Sequence, residues 1–568
     1  MQLRGALLAA LTASSSAFAW DCPTVKPGLP LIFPDDAQLA DSRNVAICVH
    51  AGVKDRDPVL RKDRPWEQTG CHVYGSVWRM DDGSWRMWYN DWSYSLVADS
   101  TDGKNWVKPD LAAAPLPDYP LNNRCNGASG HCNSLVFDGF EVVPERRYKH
   151  IGTSYAFNED GSVNTERTGY YTCVSADGLT FTGYRRALYG WDTVSLAQHP
   201  ETGEIFCYHK IMTPNIAGRP EKRRVVYLAR SQDFESWSAP ELVLAPDAAD
   251  DASFVGENNK RMDIYTLTAF PYAGGFIGFP TMFQIDHSEP AANGETSDQG
   301  FCEVQLVTFP DGIAWNRTSG REYVITCGAP GNWDCGGVFG LASGEVVSVG
   351  DESMLYYYGL DNAHGRKLRA QPSEVSTGRA VWRRWGFTSV DAPESGTFVT
   401  KPLKLATDDV RLNAAPCGTG TMSVTVTVLA ENGRTPIAVS QPVRSDETQA
   451  KLVWREDATV PTNTAVVLSF ALEHARVYAV ECEGVRQKYT PLDRPVWRYD
   501  TSRRPPDAVT TVDSPVVSGI DARRTSVALL RPGREIETRP WNHSQFFALN
   551  DIGTKDFHWG PGFLLWLR

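Results

Sequence analysis

The 568-residue sequence is short of long apolar stretches and of basic charge, and each shortage excludes a class of partner. No stretch reaches the roughly 20 consecutive apolar residues that a membrane-spanning helix needs, so no membrane insertion is expected. Lys and Arg number 56 against 68 Asp and Glu, which gives a net charge of −12. Because nucleic acids and anionic membranes bind basic surfaces, neither is an expected partner.

The sequence also lacks several motifs that carry particular chemistries. It contains no G-x-S-x-G elbow, no phosphate-binding G-x-x-x-x-G-K-[ST] loop and no G-x-G-x-x-G turn. Serine-hydrolase and nucleotide chemistry therefore have no support. No redox cofactor is expected, and no loop motif points to a structural calcium ion, which is left open.

The N-terminal residues have the pattern of a secretory signal peptide. Met1-Gln-Leu-Arg4 is followed by a short apolar run, Ala6 to Leu11, and by small residues that end in Ala17-Phe18-Ala19. A charged start, an apolar centre and an A-x-A cleavage site define such peptides. We therefore expect residues 1–19 to be removed and the mature protein to act in the extracellular space or the periplasm.

Cysteine is present in an even number, twelve, but without a C-x-x-C pair or a histidine at the usual ligand spacing from a cysteine. In an oxidising compartment such a set predicts disulfides, up to six here, whose pairing the spacing does not reveal. Zinc sites commonly show paired cysteines, so no metal site is predicted. The cysteines are Cys22, Cys48, Cys71, Cys125, Cys132, Cys173, Cys207, Cys302, Cys327, Cys335, Cys417 and Cys482.

Strand-like segments bounded by Gly, Asp, Asn and Pro dominate the chain, and helical periodicity is scarce. Tyr74–Met80 and Ser84–Tyr89, for example, flank an Asp-Gly turn and predict a β-hairpin. The neighbouring segments look the same, so the sequence predicts an all-β fold.

A repeated turn, S-x-D-G-x-x-W or a variant of it, shows how these strands are organised. Its aspartates are Asp102, Asp177, Asp233 and Asp311, and the intervals between them suit four-stranded propeller blades. Asp-Gly closes tight hairpin turns, so we interpret these aspartates as structural and not catalytic. The apparent blade starts lie near Cys71-His72, His131-Cys132-Asn133, Trp191-Asp192-Thr193, Met262-Asp263-Ile264 and Trp333-Asp334-Cys335. Five blades are predicted.

The sequence pattern changes after Trp382–Phe387. Strand patterns such as Met422–Val428 and Ala465–Leu472 suggest an antiparallel β-sandwich. We therefore predict a β-propeller over residues 20–390, a β-sandwich over 395–490 and a C-terminal extension, 491–568, that docks on the domains because its end is apolar.

These segments resemble the five-bladed β-propeller glycoside hydrolases, the group of the arabinanases, invertases and levansucrases. The resemblance is carried by Trp85–Tyr89, Ala98–Trp106 and Ala229–Trp237, and Asp192 followed by His199–Gly203 resembles the opening hairpin of a blade. It implies a carbohydrate substrate and a propeller that carries the active site. The trailing sandwich is a common companion of such propellers.

One motif of the invertase branch is missing. The chain has no W-x-N-D-P-N-G segment, and Lys54-Asp-Arg-Asp-Pro58 is only a partial match. The nucleophile of that branch is therefore not transferred to any residue here, since a fold by itself does not define a function.

The candidate catalytic acids lie at blade starts, because the first strand of each propeller blade lines the central channel. Asp192, Asp263 and Asp334 begin blades three to five, and Glu67 lies just before blade one. Glycoside hydrolysis uses one protonated and one ionised carboxyl group, which makes these four the predicted catalytic residues. Each could instead cap a loop or form a salt bridge. Asp286 and Glu303 are second choices.

Residues of other types are predicted to bind substrate. His72 and His131 begin the first two blades, where they could bind sugar hydroxyls, act as bases or serve a structural role. Trp66 and Trp191 flank candidate acids and could stack on sugar rings or simply pack. The substrate-binding candidates are His72, His131, Trp66, Trp191, Arg261 and His287.

Together these observations predict a secreted glycoside hydrolase. Two alternatives stay open. A polysaccharide lyase would depend on His72, His131 or a tyrosine more than on paired acids, and a glycan-binding propeller would bind without turnover. The sugar, the stereochemistry of cleavage and the oligomeric state cannot be inferred from the sequence.

Overall fold

The computed structural model describes residues 22–91, 94–160, 162–254, 260–290, 296–309, 312–313, 315–318, 320–365, 375–484, 504, 528–531 and 534–535. The predicted signal peptide, most of the C-terminal extension and Asp311 lie outside these residues. Among them, no helix is long and apolar enough to cross a membrane. Within the described ranges, regular helix is limited to four short 3-10 turns, Asp36–Gln38, Pro144–Arg146, Ala252–Phe254 and Arg455–Asp457.

Five antiparallel sheets follow one another along the chain and confirm the predicted five-bladed propeller. Blades 2 and 3 have four strands each, blade 1 has a fifth, Ser343–Gly344, that pairs parallel with its first strand, and blades 4 and 5 carry extra short strands. Blade 1 contains His72–Arg79, Trp85–Asn90, Tyr94–Ser100 and Arg124–Ser129; blade 2 contains Asn133–Phe137, Tyr148–Ser154, Gly169–Ser175 and Thr182–Leu188; blade 3 contains Val194–Gln198, Ile205–Thr213, Arg223–Ser231 and Glu241–Leu244. Blade 4 contains Arg261–Tyr272, Gly275–Pro290, Thr296–Gln305, Val307–Phe309, Asn316–Arg317 and Tyr323–Ile325; blade 5 contains Gly337–Leu341, Val347–Val349, Glu352–Leu360 and Val375–Arg383.

The ring is closed by the N-terminal part of the chain. Strand Val53–Lys54 pairs antiparallel with Val375–Arg383 and becomes the outermost strand of blade 5. Blade 5 thus combines residues from before blade 1 and after blade 4. This pairing covers an edge that would otherwise expose unpaired backbone groups.

The repeated Asp turns have the structural role predicted for them. Asp102 Oδ1 accepts hydrogen bonds from the two backbone N–H groups that follow Gly103, both at 2.8 Å, and Ser100 Oγ accepts from the Gly103 N–H at 2.9 Å. Asp177 and Asp233 make the same contacts. The turn interpretation is confirmed for these three aspartates.

The same turns connect neighbouring blades. The indole of Trp88 in blade 1 donates to the carbonyl of Gly178 in blade 2 at 2.7 Å. Between blades 3 and 4, the hydroxyl of Tyr208 donates to the carbonyl of Gly312, also at 2.7 Å. In blade 3 the glycine position is held by Phe234, whose φ of 61° shows that the turn keeps its left-handed conformation. The repeat therefore encodes both the hairpin and its fit against the next blade.

Serine hydroxyls meet at the propeller axis. Ser343 Oγ lies 2.6 Å from Ser76 Oγ and 2.5 Å from Ser134 Oγ, and Ser134 Oγ also accepts from the backbone N–H of Leu196. These residues come from the first strands of blades 1, 2 and 3 and from strand Ser343–Gly344, which pairs with blade 1. The axis is therefore filled by packed, hydrogen-bonded side chains at this level.

A second region surrounds a separate apolar core. Phe398 stacks on Phe470 with ring centroids 4.2 Å apart, and Phe33 meets Phe398 edge-on at 5.2 Å. A β-sandwich for this region stays a prediction. Its hydrogen-bonded strands are Thr24–Val25, Leu31–Ile32, Leu39–Arg43, Ala46–Ala51, Thr388–Thr400, Leu403–Leu405, Val410–Pro416, Ser423–Ala430, Pro436–Val439, Glu447–Lys451, Ala465–Cys482, Ala528–Arg531 and Arg534–Glu535.

Residues from both ends of the described chain build this second region. Ala46–Ala51 and Leu39–Arg43 pair with Thr388–Thr400, and Leu31–Ile32 pairs with Ala465–Cys482. The sequence analysis assigned residues 20–51 to the propeller, whereas the structure pairs their strands with the second region. A strand pattern by itself contains no information on the strand's partner.

Candidate functional site

A cavity of about 1050 Å³ opens at the propeller centre. His72 and Tyr74 of blade 1, Tyr265 of blade 4 and Tyr358 of blade 5 form part of its wall, and His131 stands before the first strand of blade 2. Large concave sites with aromatic walls and a few converging polar groups are the usual form of ligand sites. The described lining residues are Lys62, Asp63, Arg64, Pro65, Gln68, Thr69, His72, Tyr74, His131, Tyr265, Phe339, Tyr358, Leu360, His364, Gly365 and Val375.

Among the described lining residues, Asp63 supplies the carboxyl group, and none of the four predicted acids is included. Asp192 contacts the wall through a side chain: its Oδ1 lies 3.4 Å from Nε2 of the lining residue His131. The buried Cys132 thiol donates to the same oxygen at 3.5 Å, and the Lys210 ammonium pairs with Oδ2. Burial raises the pKa of the Asp192 carboxyl, but Lys210 and His131 outweigh it and hold that pKa well below its usual range.

The backbone holds this cluster from two sides. Thr153 donates from its backbone N–H to the carbonyl of Cys132 at 2.9 Å and from its hydroxyl to the carbonyl of Asp192 at 2.6 Å. Asp192 has a φ of 75°, a conformation that costs energy in most non-glycine residues. Gly130 packs so closely on Thr153 that a Cβ atom would lie 2.8 Å from its nitrogen. The fold therefore fixes both chain segments that carry the cluster.

Glu67 is fully buried, and both of its carboxyl oxygens accept hydrogen bonds. One carboxyl oxygen accepts from the Tyr89 hydroxyl at 2.6 Å, and the other accepts from the backbone N–H groups of Asp63 and Arg64 at 2.9 and 3.0 Å. The Lys108 ammonium is 2.6 Å away. These contacts fix the loop at the cavity rim to blade 1 and favour a structural role for Glu67.

Asp263 and the predicted binding residue Arg261 belong to one buried ionic network. The Asp263 carboxylate lies 3.4 Å from Arg223, 3.2 Å from Arg224 and 3.3 Å from Arg261. Arg224 and Arg261 also pair with Asp298. A carboxylate enclosed by three guanidinium groups is held as a core counter-ion, the salt-bridge alternative noted for it in the sequence.

Asp334 lies in a second buried network. Lys54 donates to it at 2.6 Å and the Tyr357 hydroxyl donates at 2.8 Å. Glu303, a second choice in the sequence analysis, is also buried and accepts from the backbone N–H of Cys327 at 2.9 Å. Burial raises the pKa of Glu303 to about 7, against the opposing effect of that N–H group. Neither acid is among the described residues that line the cavity.

The remaining predicted binding residues have mixed placements. His72 is buried in the cavity wall, 2.9 Å from the Thr69 hydroxyl, and burial lowers its pKa to about 3. Trp66 is half-buried and donates to the side chain of Asn123. Trp191 lies at a separate small cavity, His287 is exposed, and the second choice Asp286 is half-buried. Of this group, only His72 is among the described lining residues.

Several wall residues were missed by sequence reasoning. Tyr265 lies two positions after Asp263, and Tyr74 lies two positions after His72, so strand alternation from the blade start pointed to both. His364 follows strand Glu352–Leu360 of blade 5, and burial lowers its pKa to about 4. Lys210 lies in the second strand of blade 3, for which no motif exists.

An exposed aromatic pair lies next to the cavity wall. The rings of Tyr155 and Phe157 are stacked, 6.4 Å apart and 13° from parallel, and Phe157 is 61% exposed. Tyr155 lies 6.4 Å from the ring of His131. The pair extends an aromatic surface from the wall to solvent.

All twelve cysteines lie in the described residues and are free thiols, so the predicted six disulfides are not found. Ten of them are buried, and several pack in blade cores as single small apolar residues. No metal site was predicted from the sequence, but His131, Cys132 and Asp192 bring three ligand atoms within 4.8 Å of one another.

No family model and no curated protein matches the sequence. Similar solved structures include an N-acetylgalactosamine deacetylase from F. plautii in complex with blood group B trisaccharide, with 14% identity, coverage of 64% of this chain and 96% of that chain, and a TM-score of 0.34. A thermostable family-43 glycoside hydrolase shows 11% identity, coverage of 61% and 92%, and a TM-score of 0.34. The catalytic domain of the Coprinopsis cinerea GH62 α-L-arabinofuranosidase shows 10% identity, coverage of 58% and 97%, and a TM-score of 0.33. The class of this protein, an all-β chain with a five-bladed β-propeller, is defined by its own strand pairing.

Proposed function

We propose that the chain is a secreted glycoside hydrolase whose active site is the central cavity. The observation that carries this proposal is the wall itself, in which the rings of Tyr74, Tyr265 and Tyr358 alternate with His72 and His131. Sugar rings present apolar faces edged by hydroxyl groups, so a wall of aromatic and hydrogen-bonding groups matches them. Several solved proteins of similar fold are named for action on glycosides, which agrees with a carbohydrate substrate.

The carboxyl groups nearest to the cavity would carry the acid/base chemistry. Asp192 is held ionised beside His131 by Lys210, and Asp63 reaches the cavity from its rim. Glycoside hydrolysis requires an ionised carboxylate and a proton donor across the scissile bond. We assign the ionised role to Asp192, one of the four acids predicted from the sequence, and the donor role to Asp63, in place of Asp263, Asp334 and Glu67.

A panel of poly- and oligosaccharides tests the proposal, with release of reducing ends as the signal. Once a substrate is found, Asp192→Asn and Asp63→Asn should each lower kcat at least about a hundredfold, the effect expected of lost acid/base catalysis. Asp99→Asn is the matched control, because Asp99 pairs with Arg86 on blade 1 and is not among the lining residues. Binding without turnover across the panel, or full activity in both variants, would contradict the proposal.

One observation favours a polysaccharide lyase as a second candidate. Histidine and tyrosine outnumber carboxyl groups in the described wall, and Lys62 and Arg64 stand at its rim, where they would attract an acidic sugar. Lyases abstract a proton next to a uronate carboxylate and leave an unsaturated product that absorbs in the ultraviolet. Absorbance that grows with polyuronate substrates, and that His131→Ala abolishes, would favour this function over hydrolysis.

A further inference from the structure

The cluster beside the cavity contains three side chains of the types that bind zinc. His131 offers Nε2, Cys132 offers Sγ and Asp192 offers Oδ1, and these atoms all lie within 4.8 Å of one another. Imidazole, thiolate and carboxylate are the three ligand types that proteins use for zinc, whereas calcium and magnesium take oxygen ligands. Among the described residues no other group of three such side chains is this close.

The distances within the cluster match the edges of a tetrahedral zinc site. Zinc binds nitrogen and oxygen at about 2.0 Å and sulfur at about 2.3 Å, so tetrahedral ligands lie about 3.3 Å apart for nitrogen and oxygen and about 3.5 Å apart for sulfur and oxygen. The observed distance from His131 Nε2 to Asp192 Oδ1 is 3.4 Å, and that from Cys132 Sγ to the same oxygen is 3.5 Å. Two of the three edges therefore have the required length without movement of the backbone.

We propose that His131, Cys132 and Asp192 form a three-ligand binding site for zinc at the wall of the central cavity. Thr153 holds the backbone of Cys132 and of Asp192 through its own N–H and hydroxyl groups, so the ligands are held in place before the ion arrives. Lys210 pairs with Oδ2 and leaves Oδ1 directed to the other two ligands. Such outer partners orient metal ligands in known sites.

The Cys132 thiol is the ligand that must lose its proton when zinc binds. The Cys132 thiol carries a proton, which it donates to Asp192 Oδ1 at 3.5 Å. A bound divalent ion deprotonates a coordinating thiol. Zinc binding would then form the Zn–S bond and release one proton to solvent.

The fourth ligand position would face the cavity, since His131 is part of its wall. Three protein ligands and one open position are the arrangement of catalytic zinc sites, in which the metal lowers the pKa of a bound water. With zinc in place, Asp192 would serve as a ligand, and the bound water would take over its role as the ionised group. The site is inferred from ligand geometry and does not depend on the proposed glycosidase activity.

The full-length protein, loaded with zinc and dialysed, tests the site without any turnover assay. We expect one tightly held zinc ion per chain by elemental analysis, and cobalt loading should give a thiolate-to-cobalt charge-transfer band. Cys22 and Cys335, the two cysteines that are not buried, are replaced by serine throughout, which removes adventitious thiolates. In this background Cys132→Ser should abolish the band and weaken zinc binding at least about tenfold.

Cys173→Ser is the matched control. Cys173 is also buried beside a histidine, with Sγ 3.6 Å from His150 Nδ1, but this pair lacks a third ligand among the described residues. It should keep the zinc and the cobalt band. A wild-type chain without stoichiometric zinc or without the band, or a Cys132→Ser protein that keeps both, would overturn the proposal. If Cys132→Ser fails to fold, the wild-type spectrum and the loss of zinc in Asp192→Asn decide the question.

Discussion

The buried carboxyl of Glu303 should make stability fall as pH rises, and Glu303→Gln should remove that fall. Glu303 is enclosed in blade 4, where one oxygen accepts from the Cys327 backbone N–H. Glutamine keeps this acceptor and the shape of the side chain but has no proton to lose. The substitution therefore isolates the cost of ionising a carboxyl group in the core.

The sign and the magnitude follow from the raised pKa. The pKa of Glu303 is about 7 in the folded chain against 4.5 for the free group, so the folded state binds the proton more tightly. Its stabilising contribution is full below pH 4.5 and is lost as pH rises through about 7. At about 1.4 kcal/mol for each pKa unit, the loss is about 3 kcal/mol.

Buried histidines act in the opposite sense over a neighbouring range. Burial lowers the pKa of His72 to about 3 and that of His364 to about 4, so their contribution is present above pH 6.5 and is lost as pH falls. The pH profile of the wild type alone would therefore mix both trends. The difference between the variant and the wild type removes the histidine contribution.

Urea unfolding of both proteins between pH 4.5 and 8 measures this difference. Glu303→Gln should gain about 3 kcal/mol on the wild type across that range. The exposed Glu431→Gln serves as the control for loss of a glutamate charge. A difference that stays constant with pH, or that favours the wild type at pH 8, would refute the reasoning.

Two further predictions concern ring closure and substrate binding. Lys54→Met should lower the free energy of unfolding by about 3 kcal/mol, because it leaves the buried Asp334 carboxylate without its ammonium partner, and a loss below about 1 kcal/mol in urea unfolding would contradict this. Phe157→Ala should raise KM for a polymeric substrate several-fold, since a stacked aromatic surface is lost, and should leave KM for a small aryl glycoside unchanged. An equal effect on both substrates would argue against a stacking surface, and the exposed Val142→Ala is the control.

The fold was largely predictable because its determinants are local and repeated. The turn at Asp102 needs only the Ser100 hydroxyl, the Asp102 carboxylate and Gly103 to form. The same contacts recur at Asp177. The propeller class followed from that repeat, and the number of blades followed from the blade starts. The pairing of Val53–Lys54 with blade 5 was not predictable, because a two-residue strand carries no signal of a partner more than 300 positions away.

Only the location of the candidate site was predictable from the sequence. His72 and His131 at blade starts do line the cavity, as the position of first strands indicated. A secretory pattern predicted that the cysteines pair, whereas Cys132 stands beside His131 in a cluster completed by a carboxylate 60 positions later. Spacing rules for zinc ligands describe consecutive loops and do not describe the starts of adjacent blades.

The acids at blade starts show why a position alone does not identify a catalytic carboxylate. A carboxylate at such a position is buried in a medium of low polarity, and it must acquire a cation unless it stays protonated. Asp334 pairs with Lys54, which lies 280 positions away in the sequence. Asp263 pairs with arginines from two strands, and Asp192 pairs with Lys210. What separates Asp192 from the other two is the contact of its Oδ1 with His131, a residue of the cavity wall. In a propeller of this kind, the chemistry should therefore be sought at the buried acid whose counter-ion leaves one oxygen directed to the cavity.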